Sequence, residues 1–486
     1  MTLRQVFLVA VGAVAFALSV RETLDPDLWW HLRTGQLILE HGIPHVDPFS
    51  FTVPGVRWVT HEWLSEVFMA LFYKVGGFPA LILTFASIAF ASLALVYARS
   101  VGKPYLAIFV TALAGASSLT AMGVRPQLLN VFMLSLFAYL FEKIKKRRRD
   151  SRWLFLFPPL AWLWANLHGG FLVGIAFLTV VTTGEALQQA FFPQKARGLK
   201  GPGVKRLAQI TGISLLLTLI NPNGYLLWLH PFLHLKSPLM QARIVEWFSP
   251  DFHNPIFWPF ALMMAVGFLG WIFSKRRREV TEILLFLGTA WWGLSSVRHI
   301  PLFAVLNAPM ISRHLLSSFK KTSLHSWLNQ REPKIRFTPA QIFFHWFLAG
   351  SVLWASARWA MDTLKNNEAD IRKQYPAAAV DFLQREGWAR KRGFNEYHWG
   401  GYLIWRGLPV FADGRADVYG DRFLSEYFKT LDLKPDWKKA LDQFKVEYVL
   451  IEPAHRLSIL LLETREWKEA YGDDVAKVFV RKAPPA

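Results

Sequence analysis

A ladder of apolar runs constrains this 486-residue chain more than anything else in it. The runs lie near 4–20, 78–98, 104–122, 127–142, 153–166, 170–190, 207–221, 256–273, 281–297, 300–313 and 340–358. A bilayer core about 30 Å thick is crossed by roughly 20 apolar residues in a helix, so the pattern predicts about eleven transmembrane helices, the shortest of which also fit paired or re-entrant segments. With 53% hydrophobic residues, 22 Trp and 40 Phe against 19% charged, a soluble fold has too little polar surface to cover such a core. No small-residue cleavage pattern follows the first run, which therefore reads as an uncleaved signal anchor.

The net charge of +20 would suggest nucleic acid in a soluble protein, but its distribution argues against that partner. From Asp362 onward 21 Lys/Arg face 20 Asp/Glu, so nearly all the excess belongs to residues 1–361. There the basic residues cluster in alternate connections: seven in 143–152, five in 195–206, four in 275–278 and six in 313–336. This is the positive-inside pattern, with the N-terminus cytoplasmic and the C-terminus outside, and anionic headgroups are sufficient partners for the clusters. The absence of Cys excludes disulfides, thiolate catalysis and thiolate metal sites. A prokaryotic inner membrane is the economical location.

Two regions follow. Residues 1–361 form a membrane domain that includes a first external loop at 21–77, and 362–486 form an extracytoplasmic domain. In the latter YPAAAVDFLQREG, DWKKALDQF and AHRLSILLLETREW read as helices, LPVFADGR and VEYVLIEP as strands, and YGDD as a hairpin turn. The fold class is thus mainly α and polytopic, with a small C-terminal α/β domain.

The orientation sorts the unusual polar residues. Asp25, Asp27, His31, His61, Glu62, Arg125, Asn166, His168, Glu246, Arg298 and His299 all fall in connections predicted to lie outside, whereas the cytoplasmic connections hold mostly Lys and Arg. Ionisable residues of this kind in a membrane protein mark chemistry. Asp25-Pro26 has the form of a helix start, with Asp25 as the cap. Asp27 and His31, four residues apart on one helix face, fit either a base and its orienting group or two ligands of a divalent cation. Asp27 also fits a favourable charge at a helix N-terminus. His61 and Glu62 lie in HEWLSE, which is not a zinc-protease helix because Ser65 stands where HExxH needs a second His. Trp29, Trp30, Trp58 and Trp63 read as interfacial anchors, with a sugar-stacking platform as the alternative. Arg125 and Arg298, with His299, suit a phosphate leaving group through the bidentate guanidinium fork, or snorkel singly to the interface. Asn166 and His168 in NLHGGF contact substrate or stabilise a turn. LLWLHPFLHL is amphipathic and fits a surface-lying helix, with Glu246 after it.

These residues carry a resemblance. DPDLWWHLRTGQ, DPFSFT and WVTHEWLSE in the first loop, the ladder of spans, and the later NEYHWGGYLIW and VFADGRADVYGD together resemble the GT-C superfamily of polytopic glycosyltransferases, especially bacterial relatives of the dolichyl-phosphate-mannose and arabinose-type transferases. The resemblance implies Asp27 or Asp25 as catalytic carboxylate, and transfer of a sugar from a polyprenyl-phosphate donor, with inversion, to an extracytoplasmic lipid, glycan or protein acceptor. The chain lacks the Asp-Glu doublet common in mannosyltransferases of that class, which leaves the donor sugar and the use of a divalent cation open. A transporter or flippase of lipid-linked sugars is the first rival and predicts charges deep in mid-span. A non-catalytic assembly or scaffold protein is the second.

Overall fold

The computed structural model describes residues 2–147, 151–192, 199, 201–320, 322–323, 328 and 337–482. Parts of the basic stretches at 143–152, 195–206 and 313–336 lie outside the described residues. Among the described residues the chain is mainly helical, 71%, with one small sheet. The helices begin with α1 (Leu3–Ser19), α2 (Leu28–His41), α3 (Trp63–Arg99), α4 (Tyr105–Ser117) and α5 (Gln127–Arg147). They continue with α6 (Phe157–Leu167), α7 (Leu172–Phe191), α8 (Gly201–Leu217), α9 (Leu226–Lys236) and α10 (Pro238–Arg243). Then follow α11 (Trp258–Phe273), α12 (Val280–Ser295), α13 (Ile300–Ser318) and α14 (Pro339–Gln374). Within α3, Gly77 adopts φ 60°, a left-handed conformation open to glycine at little cost, so the helix breaks there and restarts before Pro79.

Among the described residues four helical stretches are long and apolar enough to cross a membrane: Trp63–Arg99, Gln127–Lys146, Gly169–Phe191 and Pro255–Phe273. Arg4–Ser19, Tyr105–Ser117 and Val280–Ser295 are apolar and shorter. Helices also stand over the remaining expected runs, as α6, α8, α13 and α14.

The chain divides into two compact units. The first comprises Met1–Arg21, Ile82–Gly224 and Ile244–Thr363. Its central element is α13, buried from Ile300 through Ser312 and packed against α4, α5, α11 and α12. A helix apolar all round belongs in a core, and this one has neighbours on every face. Buried charges occur where α5, α7, α12 and α13 end, and they are paired as the cost of burial requires. Arg99 donates to Glu142 at 3.0 Å, Arg313 to Glu282 at 3.2 Å, and Lys145 to Glu279 at 2.5 Å and to Glu185. Phe109, Trp162, Phe268, Trp291, Phe343 and Trp354 face outward, a surface suited to lipid.

The second unit comprises Glu22–Leu81, Tyr225–Arg243 and Leu364–Ala486, so the first loop, α9 and α10 fold together with the C-terminal segment. Its sheet has the order β1-β2-β4-β3, with β1 (Gly393–Asn395) parallel to β2 (Tyr448–Ile451). The hairpin of β3 (Trp467–Gly472) and β4 (Lys477–Arg481) is antiparallel, and Asp473 at its turn accepts from the amides of Val475 and Ala476. Helices cover 377–385, 438–443 and 456–463, as expected, and 416–431, which the sequence reading did not assign. The third helix stops at Glu463, and the Trp467 expected in it opens β3.

LPVFADGR is not a strand of the sheet. Val410 instead forms a parallel bridge to Ser50, and Thr52 Oγ1 donates to the Phe411 carbonyl at 2.7 Å, so this segment pairs with the first loop. The indoles of Trp29, Trp30 and Trp58 are not interfacial anchors either. All three are buried, and Trp29 packs edge-on against Tyr402 and Tyr375 with ring centroids 5.0 and 5.1 Å apart. They fill a protein core because this loop has a partner within its own unit.

Candidate active site

Helix α2 starts two residues later than Asp25-Pro26 suggests. Asp27 occupies the cap position without a capping bond from its side chain, and Asp25 Oδ1 accepts from the Asp27 amide at 2.9 Å, closing the turn before the helix. Asp25 is therefore a turn residue, and the Asp27 carboxylate takes a different partner. Asp27 Oδ1 accepts from Trp30 Nε1 at 3.0 Å and rests against the backbone of Gly414. A methyl group at Gly414 would overlap that oxygen, so a residue without Cβ is needed for the carboxylate to sit there. Asp27 is half-buried at the positive end of α2, a favourable place for an anion.

One turn on, His31 is fully enclosed. Its Nε2 lies 3.3 Å from Glu62 and its Nδ1 3.3 Å from Glu66, both buried at the start of α3. Burial works to lower the His31 pKa, but Glu62 and Glu66 with Asp27 outweigh it and raise it. Both ring nitrogens are thus engaged by carboxylates, and Asp27 lies close enough to act on the ring by its charge.

His61 continues the chain of contacts. Its Nε2 is 3.4 Å from Glu62 and its Nδ1 3.2 Å from the Val59 carbonyl. His61 stacks on His230 of α9, ring centroids 4.1 Å apart at 30°, and His230 Nε2 is 3.2 Å from Asp417 Oδ2. Burial lowers the His61 pKa, but Glu62 and Asp417 more than offset it and carry it to about 9. His230 goes the other way, lowered by burial and by the neighbouring His61 against the pull of Asp417. Neither His230 nor Asp417 was singled out from the sequence. The signal available was a histidine in the apolar segment LLWLHPFLHL, where Leu227 is buried beside it.

The DGR turn that holds Gly414 is locked. Arg415 donates to Asp413 at 2.7 and 2.8 Å and to Asp47 of the first loop at 2.7 Å, with its guanidinium 4.7 Å over Trp58 and 5.0 Å over Phe49. Tyr419 donates to Asp413 at 2.5 Å. Asp47, Asp413 and Arg415 are all buried.

The other expected residues belong to the first unit. Glu246 bridges Arg125 and Arg298, the latter at 3.4 Å, and Arg298 lies 5.2 Å over the Trp247 ring. Burial raises the Glu246 pKa, but the two guanidiniums outweigh it and depress it. His299 is pushed down to about 4 by burial and by Arg298. His168 caps the short turn 169–171, accepting from the Gly170 amide at 2.7 Å with Asn130 at 2.8 Å. Asn166 donates to the carbonyls of Trp162 and Ile220, at 2.9 and 3.1 Å. These last two contacts are those of turn-holding residues.

No family model and no curated protein sequence matches the chain. Solved structures do. The archaeal oligosaccharyltransferase AglB from Archaeoglobus fulgidus, in complex with an inhibitory peptide and a dolichol-phosphate, superposes with a TM-score of 0.56 over 92% of this chain and 69% of its own, at 12% identity. ArnT from Cupriavidus metallidurans bound to undecaprenyl phosphate gives 0.51 over 99% of this chain and 98% of its own, at 13% identity. The arabinofuranosyltransferase AftD from Mycobacteria gives 0.52 over the whole of this chain and 40% of its own, at 11% identity. Likeness at such identities is likeness of fold alone.

Proposed function

We propose that this GT-C-fold chain is a membrane glycosyltransferase that moves a sugar from a polyprenyl-phosphate donor to an extracytoplasmic acceptor with inversion. Support comes from a match that spans nearly the full length of both chains, to a protein whose structure holds undecaprenyl phosphate. We read the chain as an eleven-span protein of a prokaryotic inner membrane, N-terminus inside and residues 362–486 outside, with the first loop on the same side.

In this reading Asp27 accepts the proton of the acceptor hydroxyl as its oxygen bonds to the anomeric carbon. The bond from that carbon to the phosphate oxygen breaks, and polyprenyl phosphate departs with the electron pair. A carboxylate near neutral pH is a competent base when it is held in place, and positioned general bases contribute about 10² to 10⁴ in rate. Trp30 and Gly414 do the holding. Arg125 and Arg298 carry two positive charges against the single Glu246, and the surplus suits a lipid phosphate.

Transport requires charges in mid-span, whereas the buried charges of the first unit sit at helix ends and are mutually paired. The test is transfer from synthetic polyprenyl-phosphate sugars by purified chain in detergent. Asp27→Asn should fold and bind donor as wild type does while transfer falls by 10² or more, and Asp25→Asn, which keeps the turn bond, should be near silent. Wild-type transfer by Asp27→Asn would remove this carboxylate from the mechanism.

A further inference from the structure

We infer that His61, His230 and Asp417 form a binding site for one divalent cation of the zinc class, open to solvent or ligand at a further position. The three residues come from the first loop, from α9 and from the helix at 416–431, all within the second unit. Each offers one ligand atom, and these atoms all lie within 4.8 Å of one another. Bonds of about 2.0 to 2.1 Å to a tetrahedral zinc ion set its ligands about 3.3 Å apart. His230 Nε2 and Asp417 Oδ2 already stand at 3.2 Å. The widest separation closes by side-chain rotation of roughly 1.5 Å to reach that tetrahedral edge.

The surroundings match those of a metal ligand set. A ligating imidazole usually donates its other N–H to a carbonyl or carboxylate, which fixes the ring and its tautomer. For His61 the Val59 carbonyl does this at Nδ1, which directs Nε2 toward the cluster and toward Glu62. Glu62 in turn is bound by His31, so the carboxylate beside the site is itself held. The half-buried His61 ring stacks 4.1 Å from His230, so a second imidazole stands beside the His230–Asp417 pair. Two imidazole nitrogens out of three donors select a borderline transition ion over Mg²⁺ or Ca²⁺, which take oxygen. With three protein ligands such a site keeps an open position, as catalytic rather than closed structural sites do.

This inference stands apart from the transfer reading, because its readout is metal and not sugar. Full-length chain in detergent is stripped with a chelator and titrated with Zn²⁺ and, separately, with Mg²⁺ by calorimetry, and its metal content is measured after desalting. The expected result is one Zn²⁺ per chain, no displacement by equimolar Mg²⁺, and affinity weakened about 100-fold or more by His230→Gln or Asp417→Asn. His253→Ala, which removes an exposed imidazole beside Asp251, should leave the stoichiometry unchanged. X-ray absorption at the zinc edge of wild-type chain gives a measure that needs no variant, and should show two imidazoles and no sulfur. Failure of wild-type chain to retain Zn²⁺, full binding by both ligand variants, loss of binding in His253→Ala, or an all-oxygen shell would each overturn the assignment.

Discussion

Gly414→Ala tests whether the position of Asp27, and not just its charge, carries the chemistry. The added methyl would stand 3.2 Å from Asp27 Cγ, inside ordinary contact with Oδ1, and 3.6 Å from Trp30 Nε1. The obstructing atom is the end of a short side chain, so the overlap is relieved by turning the carboxylate and not by rebuilding the backbone. Stability should therefore fall modestly, by about 1 to 3 kcal/mol as for overpacked sites. Turning the carboxylate moves the oxygen proposed as the base by roughly 1 Å and loosens its bond to Trp30, and a misplacement of that size in a catalytic group costs on the order of 10²-fold in rate. That factor is about 2.7 kcal/mol of activation free energy. The assay is transfer from a polyprenyl-phosphate sugar, with kcat and KM resolved and the apparent thermal midpoint measured alongside. The fall should appear in kcat. Gly350→Ala is the control, since nothing lies within 4 Å of that position in α14, and there helix propensity alone should add about 1 kcal/mol. A folded Gly414→Ala chain that transfers at the wild-type rate would show that the contact with Asp27 has no bearing on the reaction.

Two further expectations concern electrostatics and topology. Glu396 is buried beside Glu452, with Oε1 lacking a hydrogen-bond partner, and burial with Glu452 raises its pKa to about 7. Its folded form therefore holds a proton that the unfolded chain releases near 4.5, so stability is present at low pH and is lost as pH rises from about 4.5 to 7, by on the order of 3 kcal/mol. Glu396→Gln should flatten that loss in thermal scans between pH 5 and 8, and an unchanged slope would place the titration elsewhere. Because the chain has no Cys, Arg57→Cys and Lys391→Cys, both exposed, should label with an impermeant thiol reagent from outside intact cells. Arg277→Cys should label only after lysis, and the reverse pattern would invert the topology.

The helical ladder was legible because long apolar runs depend on local composition, and a helix stands over each expected run. Hairpin β3–β4 was legible for the same reason, since YGDD between two runs names its own turn. What the sequence hid were contacts between distant segments. The first-loop indoles have the composition of interfacial anchors and became core because distant segments cover them: Tyr375 and Tyr402 pack on Trp29, and Arg415 lies over Trp58, each from more than 300 residues away. LPVFADGR has strand-like residues but pairs with Ser50, a partner no local pattern reveals. In the candidate site, Asp27, His31, His61 and Glu62 were readable as polar residues in an apolar context, and the acidic Glu246 was readable in the same way. Its role as the bridge of Arg125 and Arg298 was not, because ion pairing is a property of the fold.

The buried triad of Asp47, Asp413 and Arg415 explains how a half-buried carboxylate can be held so closely. Ion pairs removed from water rarely add stability over apolar residues of the same size, because desolvation consumes the Coulombic gain. What they contribute is geometry: a planar guanidinium with fixed donor directions accepts few arrangements of its partners. Arg415 is held by Asp413 two residues before it and by Asp47 in the first loop, and its face is covered by Trp58 and Phe49. Gly414 lies between Asp413 and Arg415 in the chain, so fixing both neighbours fixes the glycine. Asp27 rests on that glycine, and Trp30 on the next turn of its helix takes the same oxygen. The charges of the DGR turn therefore act on Asp27 through position: they set the surface against which the carboxylate is placed.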